Sequence, residues 1–134
     1  MEDVVVKTAA AFANSHGGTL LIGVADNGGV LGLMPDFRSL GDADRDKFEI
    51  HLRNILTQQM GAAFVATKIA IMFHELEGKD VCQVDVSPAT QLIAVHTKDK
   101  SGRDIERLYA RSGNSSPEIP LSEVGAYIKK RFPA

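Results

Sequence analysis

Along residues 2 to 15 the apolar side chains Val5, Ala9, Phe12 and Ala13 recur at i, i+4, i+7 and i+8, the spacing of one helix face, and three consecutive alanines add helix propensity. Asn14 to Gly18 should end that helix, because glycine adopts the left-handed cap conformation without a Cβ clash. Thr19 to Val24 then reads as a buried strand, apolar on both faces. Asp26-Asn27-Gly28-Gly29 has the chemistry of a tight hairpin turn, with Val30 to Leu33 returning as partner strand. Pro35 to Gly41 is a loop. Asp42 or Asp44 caps a second helix with Phe48, Leu52, Ile55, Leu56 and Met60 on its apolar face and Gly61 at its end.

Downstream the period changes from that of a helix to that of a strand. Val65, Thr67, Ile69, Ile71 and Phe73 alternate, so residues 64 to 74 are predicted extended; Glu77-Gly78 turns the chain into a second alternating strand, Lys79 to Val86, ended by Ser87-Pro88. Leu92 to Thr97 and Ile105 to Arg111 form a further hairpin about Asp99 to Arg103. Ser112 to Pro117 is a polar loop, and Pro120 opens a last helix with Leu121, Val124, Tyr127 and Ile128 inward. The order predicts an α+β fold, about three helices on a mixed or antiparallel sheet, as one domain without repeats or linker. The first helix starts almost at residue 1 with no strand ahead of it, so the chain is expected to begin partway into a longer protein.

Composition narrows the class. A chain of 134 residues with 44% hydrophobic and 24% charged residues can bury a core, and no apolar run approaches the roughly 20 residues that cross a bilayer. The single Cys82 allows no intrachain disulfide, which suits a reducing compartment; the cytoplasm is the expected location. The net charge of -2 argues against wholesale polyanion binding, yet it is unevenly distributed. Residues 1–95 carry seven basic against twelve acidic side chains, whereas residues 96–134 carry eight against five. Any electrostatic footprint for phosphate therefore belongs to the C-terminal third.

Most catalytic chemistries find no support in the residues. His16, His51, His74 and His96 lack metal-ligand spacing, Cys82 falls mid-strand where a thiol is inert, and there is no Gly-x-Ser-x-Gly elbow, Walker A loop or Gly-x-Gly-x-x-Gly. Asp26-Asn27-Gly28-Gly29 superficially matches the adenine-contacting turn of histidine-kinase-type ATPases, but the chain has no room for the helix and lid which that site needs. The best candidate is Arg111-Ser112-Gly113-Asn114-Ser115-Ser116. An arginine at a strand end followed by a glycine-bent loop of N–H groups and hydroxyls can hold a phosphate. Lys129-Lys130-Arg131 can flank the same surface, although a basic helix C-terminus is also favoured by the helix dipole. The six Phe and two Tyr occupy mostly predicted core positions, so no aromatic platform for single-strand stacking is evident.

Two blocks, "AFANSHGGTLLIGVADNGGVLGL" and, about eighty residues on, "LYARSGNSSPEIPLSEVGAYIKKRF", resemble the AlbA-2 domain, the DNA-binding module of the Schlafen family and of many bacterial regulators. The resemblance implies a nucleic-acid-associated domain of a larger bacterial protein, often a transcriptional regulator or helicase-like. Arg111, Ser112, Gly113 and Asn114 would be phosphate contacts, and Lys129, Lys130 and Arg131 auxiliary charge. Some Schlafen members cleave RNA with three carboxylates and a divalent metal. Only the third corresponds here, as Asp26; the other two belong to a strand ahead of the first helix that the chain lacks, and Glu2 lies too close to the helix to replace them. The expectation is therefore a noncatalytic nucleic-acid-binding domain with no cofactor, with DNA or RNA as partner and no membrane. Self-association through the uncovered sheet edge, or docking to the rest of a parent protein, is a further expectation. The rival readings are a metal-dependent nuclease completed by upstream acids and a protein-interaction module.

Overall fold

The computed structural model describes residues 2–133, and among these the chain forms five helices and five strands. The elements are α1 (Glu2–Ala13), β1 (Gly18–Ile22), α2 (Met34–Ser39), α3 (Arg45–Met60), α4 (Ala62–Lys68), β2 (Ile69–Leu76), β3 (Lys79–Val86), β4 (Val95–Lys98), β5 (Asp104–Arg107) and α5 (Leu121–Arg131). The fold is α+β with antiparallel sheets: a three-stranded sheet in the order β1-β3-β2 and a separate hairpin, β4-β5.

Helix α1 is the centre of the molecule, touching β1, α3, β3 and β4. Its alanines explain how it can: Ala9, Ala10, Ala11 and Ala13 are fully buried, and side chains this small let neighbouring backbones close in from several sides. Helix α3 supplies the bulk, with Phe48, Leu52, Leu56 and Met60 buried against the covered sheet face of Ile22, Ile69, Cys82, Val84 and Val86. Phe48 meets Phe37 and Phe73 edge to face at centroid distances of 5.9 and 6.1 Å, the favoured geometry for aromatic rings. Asp44 is the cap of α3, accepting from the Lys47 N–H at 2.9 Å, whereas Asp42 turns the chain ahead of it with φ 57°.

Several expectations change. Two short helices raise the number from about three to five: α2 lies in the expected loop, with Pro35 in its first turn, and α4 occupies the start of the expected long strand. The alternation at Val65 and Thr67 misleads because a seven-residue helix makes fewer than two turns; it buries only Phe64 and Val65 and its stripe is too short to register. The Gly-rich turn does not close a full hairpin. Val24 and Val30 form one isolated bridge, both Leu31 and Gly32 N–H donate to the Gly23 carbonyl, and β1 pairs with β3 instead. Strand β1 is also not buried on both faces: Leu21 is 44% exposed, because helices cover only one side of the sheet. Within α5, Leu121 and Ile128 point outward rather than inward.

Asn14 holds the two halves of the chain together. Fully buried just past α1, it donates through Nδ2 to the carbonyls of Ile93 and Tyr109, both at 2.9 Å, and accepts the Ile93 N–H through Oδ1 at 2.8 Å. Its own carbonyl accepts the Tyr127 hydroxyl. Removing the amide leaves three backbone groups of Ile93 and Tyr109 without it. Asn14→Ala is expected to destabilise the fold by about 2–4 kcal/mol in urea unfolding, more than any exposed-site alanine. Cys82, buried in the middle of β3, is governed by desolvation first and the nearby Glu49 charge second, which push its thiol up to about 12. A raised thiol pKa adds stability below the ordinary value of 9.0 and loses it as pH rises above that. Native protein should therefore leave a disulfide reagent unreacted at pH 8 and release one thiol equivalent only on unfolding, and its Tm should fall between pH 9 and 11.

Candidate functional site

The C-terminus of α1 builds the site. Gly17, at φ 76°, donates to the Phe12 carbonyl at 2.8 Å and turns the chain. Gly18 has a different reason to be glycine: a Cβ there would lie 2.7 Å from the Phe12 ring. With one face of its surroundings taken by the Gly18 backbone, the Phe12 ring also carries the Arg111 guanidinium, 5.0 Å from its centroid.

Arg111 is brought there by Asn14, which binds the Tyr109 carbonyl, and by Ser15, whose Oγ accepts the Arg111 N–H at 2.9 Å. Beyond it the chain doubles back. Ser112 and Ser115 exchange backbone hydrogen bonds of 2.9 and 3.0 Å about Gly113 at φ 59°, and Ile119 N–H donates to the Leu108 carbonyl at 2.7 Å. Arg111 binds its own loop, donating through Nε to the Gly113 carbonyl at 3.1 Å and through Nη1 to Ser116 Oγ at 2.9 Å. Two of five guanidinium N–H groups are thus engaged, leaving three for another acceptor. Ser112 and Ser115 direct their N–H groups into the turn, so the open donors at the tip are the Gly113 and Asn114 N–H groups and the Ser112 hydroxyl.

Helix α5 closes the other side. Tyr127 donates to the Asn14 carbonyl, and Arg131 donates through Nε to the Ser15 carbonyl at 2.5 Å and through Nη2 to that of Ala89 at 3.3 Å. Between loop and helix runs an open groove of about 860 Å³ whose lining includes His16, Arg111, Tyr127, Lys130 and Arg131 and also the carboxylates of Glu118 and Glu123. Glu118 is paired with Arg107 at 2.8 Å. Arg111, Lys130 and Arg131 are therefore brought together across twenty residues of sequence, while Lys129 is exposed and does not line the groove. Arg131 serves mainly as a staple to two carbonyls, whereas Lys130 lines the groove without a side-chain hydrogen bond or ion pair among the described residues.

Asp26 stands apart from this groove, exposed in the turn that Ala25 and Gly29 close. Among the described residues no three His, Cys, Asp or Glu side chains cluster closely enough to hold a metal ion, and Glu2 is engaged by His51 at 2.6 Å. A second polar arrangement, not foreseen from the sequence, crosses the uncovered sheet face. Thr19 Oγ1 donates to Asp85 at 2.8 Å, Gln83 Nε2 donates to the same carboxylate at 3.0 and 3.2 Å, and His74 Nε2 contacts Gln83 Oε1 at 2.7 Å. The hydrogen bonds from Gln83, then Thr19, hold Asp85 below the usual carboxylate range. Its sequence signal was the outward alternation of Thr19, His74, Gln83 and Asp85 in β1, β2 and β3. Each of its four side chains is hydrogen-bonded to another member of the array.

No curated protein matches the chain. Among solved structures, the crystal structure of the DIP2311 protein from Corynebacterium diphtheriae superposes over 97% of this chain with a TM-score of 0.62 at 23% identity, a likeness of fold. The chain spans 22% of that protein. The family model described as Schlafen, AlbA_2 matches residues 1–120, which takes in the sheet, α1 to α4 and the Arg111 loop but stops before α5. With that match across nearly all of its length, the chain belongs to the Schlafen AlbA_2 family.

Proposed function

We propose that this is a nucleic-acid-binding domain, of the kind that serves DNA-binding bacterial regulators in the cytoplasm, and that it is noncatalytic by itself. Its phosphate-binding surface is the groove between the Arg111 loop and α5. The observation that carries this reading is the convergence of Arg111, Lys130 and Arg131 with His16 on one groove of a chain whose net charge is -2. A binder of this kind recognises phosphate locally, through few contacts, rather than by overall attraction. Arg111 suits the role because the Phe12 ring and the Gly113 carbonyl orient its guanidinium in advance, so less side-chain entropy is lost when an acceptor arrives. Gly113 and Asn114 add backbone N–H groups at the loop tip. No helix among the described residues is long and apolar enough to cross a membrane.

Fluorescence anisotropy with short labelled DNA and RNA tests the reading. Binding at low salt should weaken with rising salt at a log–log slope on the order of -2 to -3, as expected for two or three phosphates. Lys130→Ala should reduce affinity roughly three- to tenfold and lower that slope by about one, without altering thermal stability. Undetectable binding at low salt, or binding indifferent to salt, would overturn the proposal in favour of a protein-interaction module. Cleavage of labelled RNA in Mn²⁺ that disappears in Asp26→Ala would instead establish the nuclease reading.

A further inference from the structure

Four residues of α5 that line the groove, Glu123, Ala126, Tyr127 and Lys130, stand at i, i+3, i+4 and i+7 and so form one face of the helix. Along that face the chemistry runs from acid through apolar to base. Ser15 fixes the basic end: its Oγ accepts the Arg111 N–H and its carbonyl accepts the Arg131 Nε–H, which gathers Arg111, Lys130 and Arg131 there. The acidic end adjoins Pro120, whose carbonyl accepts the Glu123 N–H at 2.9 Å and which follows Glu118 by two residues. Between the two ends the groove is apolar, with Pro117 and Ile119 on one side and Ala126 and Tyr127 on the other. The Tyr127 hydroxyl is committed to the Asn14 carbonyl, so this residue offers a ring rather than a free hydroxyl. Glu118 is held by Arg107, whereas the Glu123 side chain makes no hydrogen bond or ion pair among the described residues.

A ligand that offered only phosphate would leave two of these three features without a partner, since the apolar middle would gain nothing from it and the Glu123 carboxylate would repel it. We propose that the groove takes a nucleotide of a single strand with its base unstacked, and that Glu123 reads guanine; this rests on the phosphate-binding role of the groove proposed above. The phosphate lies at the end that holds Arg111 and Lys130, the face of the base covers the apolar middle, and its edge reaches Glu123. The dimensions agree. Glu123 and Lys130 are seven residues apart, about 10 Å along the helix axis, comparable with the span of a nucleotide from phosphate to Watson–Crick edge. A duplex does not present this combination, because its base faces are stacked and its Watson–Crick edges paired. The edge selects the base. Guanine alone carries two adjacent donors there, N1–H and N2–H, which match the two oxygens of a carboxylate. Adenine and cytosine set a ring-nitrogen acceptor beside the amino group, and thymine and uracil flank N3–H with two carbonyls, so each of these brings an acceptor against the carboxylate.

Anisotropy titrations of the full chain at low salt test this with four labelled ligands: a short thymine strand carrying one central guanine, the same strand with inosine in its place, the all-thymine strand, and the guanine strand annealed to its complement. Inosine keeps N1–H and lacks the N2 amino group, so it isolates the second hydrogen bond. The guanine strand should bind at least about fivefold more tightly than the other three, as one bidentate base contact allows. Glu123→Gln, at an exposed position, should keep the wild-type Tm, cut the guanine preference to below about twofold, and tighten the all-thymine strand by removing a negative charge from the groove. Equal affinity for the guanine and inosine strands, a duplex bound as tightly as the guanine strand, or a preference that survives Glu123→Gln would overturn base reading while leaving phosphate binding in place. Failure of every strand to bind would strike the phosphate role itself, and base reading with it.

Discussion

Ending a helix in the interior sets the requirement around which the rest of this protein is organised. The last turn of α1 is surrounded by β1, β3 and β4, so the polar groups beyond it have little access to water and must find partners within the chain. Asn14 resolves this with a fully hydrogen-bonded side chain: two donors and one acceptor answered by backbone groups 79 and 95 residues away. Its carbonyl and that of Ser15 are answered in turn by Tyr127 and Arg131 of α5. Chain segments with no regular secondary structure in common are thereby held at one point. The Arg111 loop and α5 adjoin because both answer the same helix end.

The same arrangement explains the character of the candidate site. The Phe12 ring touches the chain at Gly18 and also carries the Arg111 guanidinium, so the glycine pair that stops the helix makes room for the ring on which the arginine rests. Arg111 has both a structural and a chemical capacity. Two N–H groups tie down its loop, and three remain directed elsewhere. Arg131 is more fully engaged, and Lys130, one residue before it, is left free. Adjacent basic residues in a run of three thus take on unequal roles, decided by which side of α5 each projects from.

Helix α5 differs from the other longer helices. α1 and α3 each bury an apolar face, while α5 attaches through hydrogen bonds from Tyr127 and Arg131 and leaves Leu121 and Ile128 in solvent. It also lies beyond the region that matches the AlbA_2 family. It is held by three hydrogen bonds from two side chains, whereas the sheet and the central helix are built from burial.

Much of the framework is legible in the sequence, because it rests on patterns that local chemistry enforces. The faces of α1 and α3, a cap for α3 at Asp42 or Asp44, the β2-β3 hairpin with its Glu77-Gly78 turn and the hairpin about Asp99 to Arg103 all follow from periodicity and turn residues, and the structure selects Asp44 as the cap. Family membership follows from the two blocks of motifs, and the Arg111 loop was visible as a chemically unusual connection. Short helices such as α4 were not, since fewer than two turns give no stripe to read, and the partner of β1 was not, since strand pairing is a non-local choice. Above all, the sequence says that Arg111 and Lys130-Arg131 are basic but not that they share a groove. That was decided by Asn14, whose type suggested no more than the end of a helix. Its burial, and the need of a buried amide for three partners, are properties of the tertiary structure alone.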